Sequence, residues 1–184
     1  MTEMLKNYYW SSARAAPNRP ALAGTRSADV CIVGAGFTGL SAGLELAEKG
    51  YSVVIVESHA VGWGASGRNG GQLINGYSRG LDVIGKRYGA DAERALGEMA
   101  LEGAAIIRER VQRLGIDCAL ADGNLVAAFN AKQMRELEHE AGVSARHGHE
   151  VQIVDRPGLS RFVVTDSYCG GLFDPKGGHF HPLD

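Results

Sequence analysis

A short glycine-rich segment, GAGFTG, gives the chain its clearest chemical signal. It follows the apolar run 29–33, and a helical pattern of apolar residues begins within it. In a strand-to-helix turn with the spacing G-x-G-x-x-G, unpaired backbone N–H groups and the helix dipole can bind a pyrophosphate. We therefore predict that this turn holds the phosphates of a dinucleotide. The predicted contacts are Gly34, Ala35, Gly36, Phe37, Thr38 and Gly39.

An acidic residue follows the next predicted strand. The β-branched run 52–56 ends at Glu57, and Ser58 comes directly after it. An acid at this place in a βαβ unit accepts hydrogen bonds from ribose hydroxyls, and its charge disfavours a 2′-phosphate. Glu57 and Ser58 are therefore predicted to bind the adenosine half of the dinucleotide, and NADP is not expected.

A second glycine-rich segment lies in the loop 58–80, which has little periodicity. Small residues there expose backbone N–H groups that can form an anion nest, and Arg68 adds a permanent cation. A loop of this length inside a domain usually has a function. We predict that it also contacts the cofactor. The residues concerned are Ala65, Ser66, Gly67, Arg68, Asn69, Gly70, Gly71 and Gln72.

Composition narrows the possible partners. The chain has 184 residues, 26 of them glycine, and a net charge of −2 with no basic run. A nucleic-acid partner is therefore not expected. The apolar runs are too short to span a bilayer, and the N-terminus has no apolar signal region, so we expect no membrane partner and a cytoplasmic location.

Cysteine and histidine residues give no catalytic or metal-site pattern. The three cysteines are far apart, as is typical of reduced thiols, and Cys31 is predicted to be a small core residue. Two His-x-His pairs occur at 147–149 and 179–181, but no further ligands accompany them. No metal and no catalytic residue is predicted.

Hydrophobic periodicity predicts an α/β fold. A Rossmann-like βαβ unit consists of a buried strand at 29–33, a helix at 37–49 and a buried strand at 52–56. It is followed by the start of an α+β region. There we expect a long helix at 91–114 capped by Asp91, followed by a hairpin of strands 117–120 and 124–129 with its turn at 122–123. The expected elements after the hairpin are a helix at 131–147, strands at 150–154 and 169–173, a short helix within 155–163, and a terminal loop.

The two glycine-rich segments together resemble a known family. DVCIVGAGFTGLSAGLELAEKGYSVVIVE and GWGASGRNGGQL are similar to the FAD-dependent oxidoreductases of the D-amino-acid-oxidase-like family. The resemblance implies FAD as the cofactor. It also implies oxidation of a C–N bond by hydride transfer to the flavin. The implied substrate is a small amine, most specifically gamma-glutamylputrescine; the oligomeric state is left open.

The resemblance also implies a domain division and a truncation. We expect an N-terminal arm at 1–28, the FAD-binding unit and flavin-contact loop at 29–80, a part leading into the substrate domain at 81–173, and the start of a return to the FAD domain at 174–184. Family members are about twice as long, so the chain is expected to be an N-terminal portion.

Three alternatives remain open. The substrate could be another amine or amino acid, such as a D-amino acid or a sarcosine-like compound. The chain could also be a catalytically inactive nucleotide-binding fragment. An NAD-dependent dehydrogenase is the third alternative, and the segment GASGRNGGQ argues against it.

Overall fold

The computed structural model of the chain describes residues 8–14, 17 and 19–184. The rest of the predicted N-terminal arm lies outside the described residues. The chain divides into two compact units, residues 1–71 with 181–184, and residues 72–180. The helices are α1 Tyr8–Ser12, α2 Phe37–Glu48, α3 Leu81–Tyr88, α4 Ala90–Leu114, α5 Ala131–Arg146 and α6 Arg156–Leu159. The strands are β1 Val30–Val33, β2 Val53–Val56, β3 Gln72–Leu73, β4 Ala121–Ala128, β5 Gln152–Asp155 and β6 Gly170–His179.

The first unit is built on a β1–α2–β2 arrangement. The two strands are parallel, in register from Val30 opposite Val53 to Val33 opposite Val56. Helix α2 packs closely on them, since a Cβ added to Gly43 would lie 2.8 Å from Ile55 Cδ1. Strands of β-branched residues joined by a helix form a parallel pair because the helix carries the chain back to the starting end. The predicted βαβ unit is confirmed, with each element within two residues of its expected bounds.

The two strands are less buried than their apolar sequences predict. Val33 is 86% exposed, and Cys31 is also exposed. The predictions of a buried first strand and of Cys31 as a core residue are therefore wrong for this structure. Continuous apolar runs are typical of strands that are covered on both faces. In the part of the chain that the structure describes, the sheet of this unit has only two strands, and Val33 at the end of β1 is left uncovered.

The second unit contains an antiparallel sheet with β6 as its central strand. Strand β4 pairs along almost the whole of β6, from Ala121 opposite His179 to Ala128 opposite Gly170. Because β4 occupies one edge of β6, the other edge takes β5 at one end and β3 at the other. A small core forms where α5 packs on this sheet. Its buried members are Ala128, Leu137 and Leu172, and its partly buried members are Met134, Ala141, Val151 and Cys169.

Two sequence predictions for this unit are wrong. The expected hairpin is absent: residues 117–120 form no strand, and β4 is a single strand whose two halves both pair with β6. The register shifts between Asp122 and Asn124, where two steps along β4 match four along β6. Gly123, with φ +93°, lies at this shift and not in a hairpin turn. The expected terminal loop is also partly a strand, since β6 continues to His179.

The predicted helices of the second unit, which are α4, α5 and α6, lie close to their expected bounds. Helix α4 begins after Gly89, with Asp91 in its first turn instead of at its cap. Gly115, with φ +62°, ends it in the left-handed conformation that glycine adopts without steric cost. The side chain of Asn130 caps α5 by accepting hydrogen bonds from the N–H groups of Lys132 and Gln133. Among the described residues, none of these helices is both long and apolar enough to cross a bilayer.

Candidate cofactor-binding site

The glycine-rich turn brings the end of β1 against the start of α2. Gly34 has φ +101°, a conformation that other residues rarely adopt. Its carbonyl oxygen lies where a Cβ on Gly39 would have to be. These two glycines therefore allow the helix to start directly beside the strand, and the N–H groups of a first helical turn have no intrahelical partners and favour anions.

Glu57 is fixed beside this turn by backbone N–H groups. Its Oε2 accepts a hydrogen bond of 2.9 Å from the N–H of Ala35, and its Oε1 accepts one of 2.9 Å from the N–H of His59. These bonds, with that from Ala35 contributing most, lower the pKa of Glu57. The carboxylate is therefore ionised at neutral pH and remains partly open to solvent, with 21% of its side chain exposed. It can accept hydrogen bonds from ribose hydroxyls, as the sequence predicts.

Ser66 joins the second glycine-rich segment to the first. Its hydroxyl oxygen accepts a hydrogen bond of 2.9 Å from the N–H of Phe37. It also lies 2.9 Å from the position of a Cβ on Gly36. The hydroxyl therefore occupies the N-terminal end of α2, where the helix dipole favours anions. Because its oxygen is the acceptor in this bond, its proton is free to be donated to an anion.

Asn69 holds the conformation of the second segment. Its Nδ2 donates hydrogen bonds to the carbonyl oxygens of Ala65 (3.1 Å) and Ser66 (2.8 Å). Its Oδ1 accepts one of 2.7 Å from the N–H of Gly71. The amide of Asn69 is thus bonded within the loop, and Ala65–Gly67 forms a short 3-10 turn.

Arg68 is held against an aromatic ring. Its Nε donates a hydrogen bond of 2.8 Å to the carbonyl oxygen of Trp63, and its guanidinium lies 5.4 Å from the centroid of that ring. His59 stacks on Trp63 at a centroid distance of 5.0 Å and an angle of 4°. The predicted contacts include neither His59 nor Trp63. The sequence offered one signal for them, which is their closeness to predicted contacts: His59 lies two residues after Glu57, and Trp63 lies five residues before Arg68.

The remaining predicted contacts lie at different places. Thr38 is in the first turn of α2. The hydroxyl of Ser58 donates to Oε1 of Glu57 at 3.3 Å. Gly70 lies in the loop after Asn69, whereas Gln72 belongs to the second unit, where it pairs with His179 in the sheet.

A serine, a histidine and an aspartate meet elsewhere in the first unit. Ser12 Oγ lies 3.1 Å from His181 Nε2, and His181 Nδ1 lies 3.3 Å from Asp184 Oδ2. Ser12, however, donates its proton to the carbonyl oxygen of Tyr8 at 2.7 Å. A hydroxyl whose proton is donated in this way is not activated by the imidazole as a nucleophile. The cluster instead has a structural role, because Ser12 belongs to α1 and its partners belong to the segment 181–184.

The histidine pairs have separate acidic partners. His147 Nε2 lies 3.1 Å from Glu93, and His149 Nε2 lies 3.0 Å from Asp174. Within the described parts of the chain, no three His, Cys, Asp or Glu side chains converge as metal ligands would.

Comparison with known proteins identifies the family. The family model described as "DAO: FAD dependent oxidoreductase" matches residues 29–184. The chain is 47% identical over its whole length to the gamma-glutamylputrescine oxidoreductase of Escherichia coli K12, of which it covers 43%. It is 42% identical to "Probable oxidoreductase OrdL" of Haemophilus influenzae Rd, again covering 43%.

Solved structures agree with this assignment. Glycine oxidase from Bacillus cereus superposes with a TM-score of 0.68 at 25% identity, over 85% of this chain and 41% of that one. The chain therefore spans less than half the length of the relatives it matches. The α/β fold, the predicted resemblance and FAD as the family cofactor are confirmed. The chain belongs to the DAO family of FAD-dependent oxidoreductases.

Proposed function

We propose that the protein to which this chain belongs oxidises a C–N bond of an amine with FAD as the hydride acceptor, and that its substrate is gamma-glutamylputrescine. One observation of the structure carries the cofactor assignment. The glycine-rich turn, the ionised carboxylate of Glu57 and the hydroxyl of Ser66 meet at the N-terminus of α2. The substrate assignment rests on the 47% identity to the E. coli enzyme.

The residues of this site fit the ADP half of FAD. Two negatively charged phosphates require N–H donors and a positive field, which the first turn of α2 supplies. The adenosine ribose requires an acceptor, which Glu57 supplies. When bound, FAD supplies the hydride-accepting ring, and the protein supplies its binding and orientation.

The contacts of the second segment are part of the same proposal. Ser66 donates its hydroxyl proton to a phosphate oxygen while it still accepts from Phe37. Arg68 faces the phosphates with the N–H groups that it does not use on Trp63. Asn69 acts indirectly, by holding the loop. The proposed contacts are Gly34, Ala35, Gly36, Phe37, Thr38, Gly39, Glu57, Ser58, Ala65, Ser66, Gly67, Arg68, Asn69, Gly70, Gly71 and Gln72.

The test is a spectrum followed by a substrate panel. The purified full-length protein is expected to be yellow and to be bleached by gamma-glutamylputrescine under anaerobic conditions. Putrescine, sarcosine, glycine and a D-amino acid form the comparison panel, and NAD is the alternative cofactor. A colourless protein that binds NAD would overturn the cofactor assignment. Bleaching by sarcosine or a D-amino acid but not by gamma-glutamylputrescine would overturn the substrate assignment.

A different amino compound is the second candidate substrate. The structural likeness to glycine oxidase, at 25% identity, favours it. The same panel decides between the two. We also propose a cytoplasmic location, supported by the three free cysteines, Cys31, Cys118 and Cys169.

A further inference from the structure

Helix α1 is attached to two other segments of the first unit. One of them is the loop 62–71, called the cofactor loop below. There the indole of Trp10 lies edge-on to that of Trp63, with a centroid distance of 5.7 Å and an angle of 63°. The other is the segment after β6, where the ring of Tyr9 lies edge-on to the imidazole of His181 at 5.0 Å and 86°. The helix is therefore a bridge between the two segments.

The segment after β6 also lies against the cofactor loop. Asp184 Oδ1 accepts a hydrogen bond of 2.8 Å from the backbone N–H of Arg14, just after α1. The side chain of Leu183 packs on the backbone of Gly62, where a Cβ would lie 2.7 Å from Leu183 Cδ2. It packs in the same way on Gly67. Both glycines are buried, so the loop is held from outside at two points besides Trp63.

Trp63 connects these contacts to Arg68. Its carbonyl oxygen accepts the hydrogen bond of 2.8 Å from Arg68 Nε, and its ring lies 5.4 Å from the guanidinium. The same ring contacts Trp10 and stacks on His59. A displacement of this indole therefore displaces the cation as well.

The composition of the cofactor loop explains why outside support is needed. Five of its ten residues are glycine, which loses more conformational freedom on folding than any other residue. Arg68 is exposed, and a long side chain loses much rotamer freedom when it is fixed. Contacts that fix the loop and its cation before a ligand arrives lower the entropy cost of binding. The bridge made by α1 is such a contact.

We propose that α1 positions Arg68 for the pyrophosphate of the cofactor, and that Trp10 is the positioning residue, acting through Trp63. Trp10 touches the indole that carries the guanidinium, so its loss releases the cation without removing it. That Arg68 meets a phosphate rests on the proposed function. The coupling of Trp10 to Arg68 is a property of the first unit and is measurable without FAD.

Hydrogen exchange in the flavin-free full-length protein tests the coupling. Trp10→Ala removes the contact with Trp63, and the amides of residues 62–68 are expected to exchange about fivefold faster, while those of β1 and β2 keep their rates. Trp10→Phe retains an aromatic ring and is expected to restore the natural rates. Tyr8→Ala is the control, because it removes a ring of the same helix that is 73% exposed. Unchanged exchange of residues 62–68 in Trp10→Ala would overturn the proposal.

Titration with FAD tests whether the coupling serves the cofactor. Arg68→Gln removes the cation and is expected to weaken FAD binding about tenfold. Trp10→Ala is expected to weaken it about two- to tenfold, the range that corresponds to one aromatic pair. In the Arg68→Gln background, Trp10→Ala is expected to cause no further loss, because Trp10 acts through Arg68. Additive losses would overturn the proposal, since a helix that only stabilises the fold would produce them.

The two measurements separate this inference from the proposed function. Faster exchange in Trp10→Ala, with an FAD affinity that Arg68→Gln leaves unchanged, would support the coupling and count against the proposed phosphate contact of Arg68. Weaker FAD binding in Arg68→Gln, with natural exchange and natural affinity in Trp10→Ala, would count against the positioning role of α1 alone.

Discussion

The backbone N–H of Phe37 donates a hydrogen bond of 2.9 Å to the hydroxyl of Ser66, 29 residues further along the chain. The first turn of α2 is thus completed by a side chain from the second glycine-rich segment. Helix termini leave N–H groups without intrahelical partners, and here one partner comes from the loop that is itself predicted to bind the cofactor. The two segments are therefore joined by a direct hydrogen bond.

Removal of this hydroxyl tests that connection. Ser66→Ala is expected to weaken FAD binding by the full-length protein several-fold and to speed hydrogen exchange at the amide of Phe37, because one acceptor is lost. Ser66→Thr retains the hydroxyl and is expected to preserve both properties. Fluorescence titration and amide exchange provide the measurements. Normal exchange at Phe37 in Ser66→Ala would show that the hydrogen bond contributes nothing.

Addition of a methyl group tests the close contact at the glycine-rich turn. Gly39→Ala places its Cβ on the carbonyl oxygen of Gly34, so α2 must move away from β1. Overpacking of this kind costs about 1–3 kcal/mol, measured as a lower free energy of unfolding in urea. Gly103→Ala is the control, because it lies in α4 with no atom within 4 Å of the added Cβ. Gly103→Ala is expected to raise the free energy of unfolding by about 0.5–1 kcal/mol. Equal effects of the two substitutions would contradict the close contact between Gly39 and Gly34.

The ionisation of Glu57 predicts how the free energy of unfolding depends on pH. Its pKa in the folded chain lies below the ordinary value of 4.5 because the N–H groups of Ala35 and His59 bond to the carboxylate. Its contribution to stability is therefore fully present above the unfolded pKa and is lost as the pH falls through the lower folded pKa. The stability difference between the natural chain and Glu57→Gln is expected to shrink on acidification from about pH 6 to pH 3. A pH-independent difference in urea unfolding would contradict this role.

The core under α5 gives a prediction for the second unit. Leu137 is 7% exposed and belongs to the cluster with Ala128 and Leu172. Leu137→Ala is expected to lower the free energy of unfolding by about 2–5 kcal/mol. Leu114→Ala, at a position that is 49% exposed, serves as the control and is expected to cost less than about 1 kcal/mol. Similar losses at both leucines would show that this cluster is not the core of the unit.

Local patterns predicted the first unit well. The turn 34–39 and the acid at Glu57 are close in sequence to the strands that position them, so spacing alone was sufficient. Asn69 and Arg68 were also predicted to contact the cofactor, and this stays a prediction. Their bonds to Ser66 and Trp63 depend on the fold of the loop. No periodicity encodes such contacts.

The second unit was harder because its pairings are long-range. The segment 117–129 looks like a hairpin when Asp122 and Gly123 are considered locally. Residues 121–128 instead form one strand, because residues on both sides of Gly123 find their hydrogen-bond partners in β6. Likewise, the segment 174–177 has the composition of a turn, yet it lies within β6.

The central position of β6 has a consequence for synthesis on the ribosome. Strands β3, β4 and β5 all pair with β6, which follows them in the chain. During translation these strands emerge before their common partner exists, and their unpaired edges can associate with other chains. The parallel pair β1–β2 needs no later segment to form its hydrogen bonds. We therefore expect the nascent chain to acquire its first unit's strand pairing early and to depend on chaperones until residue 179 has left the exit tunnel.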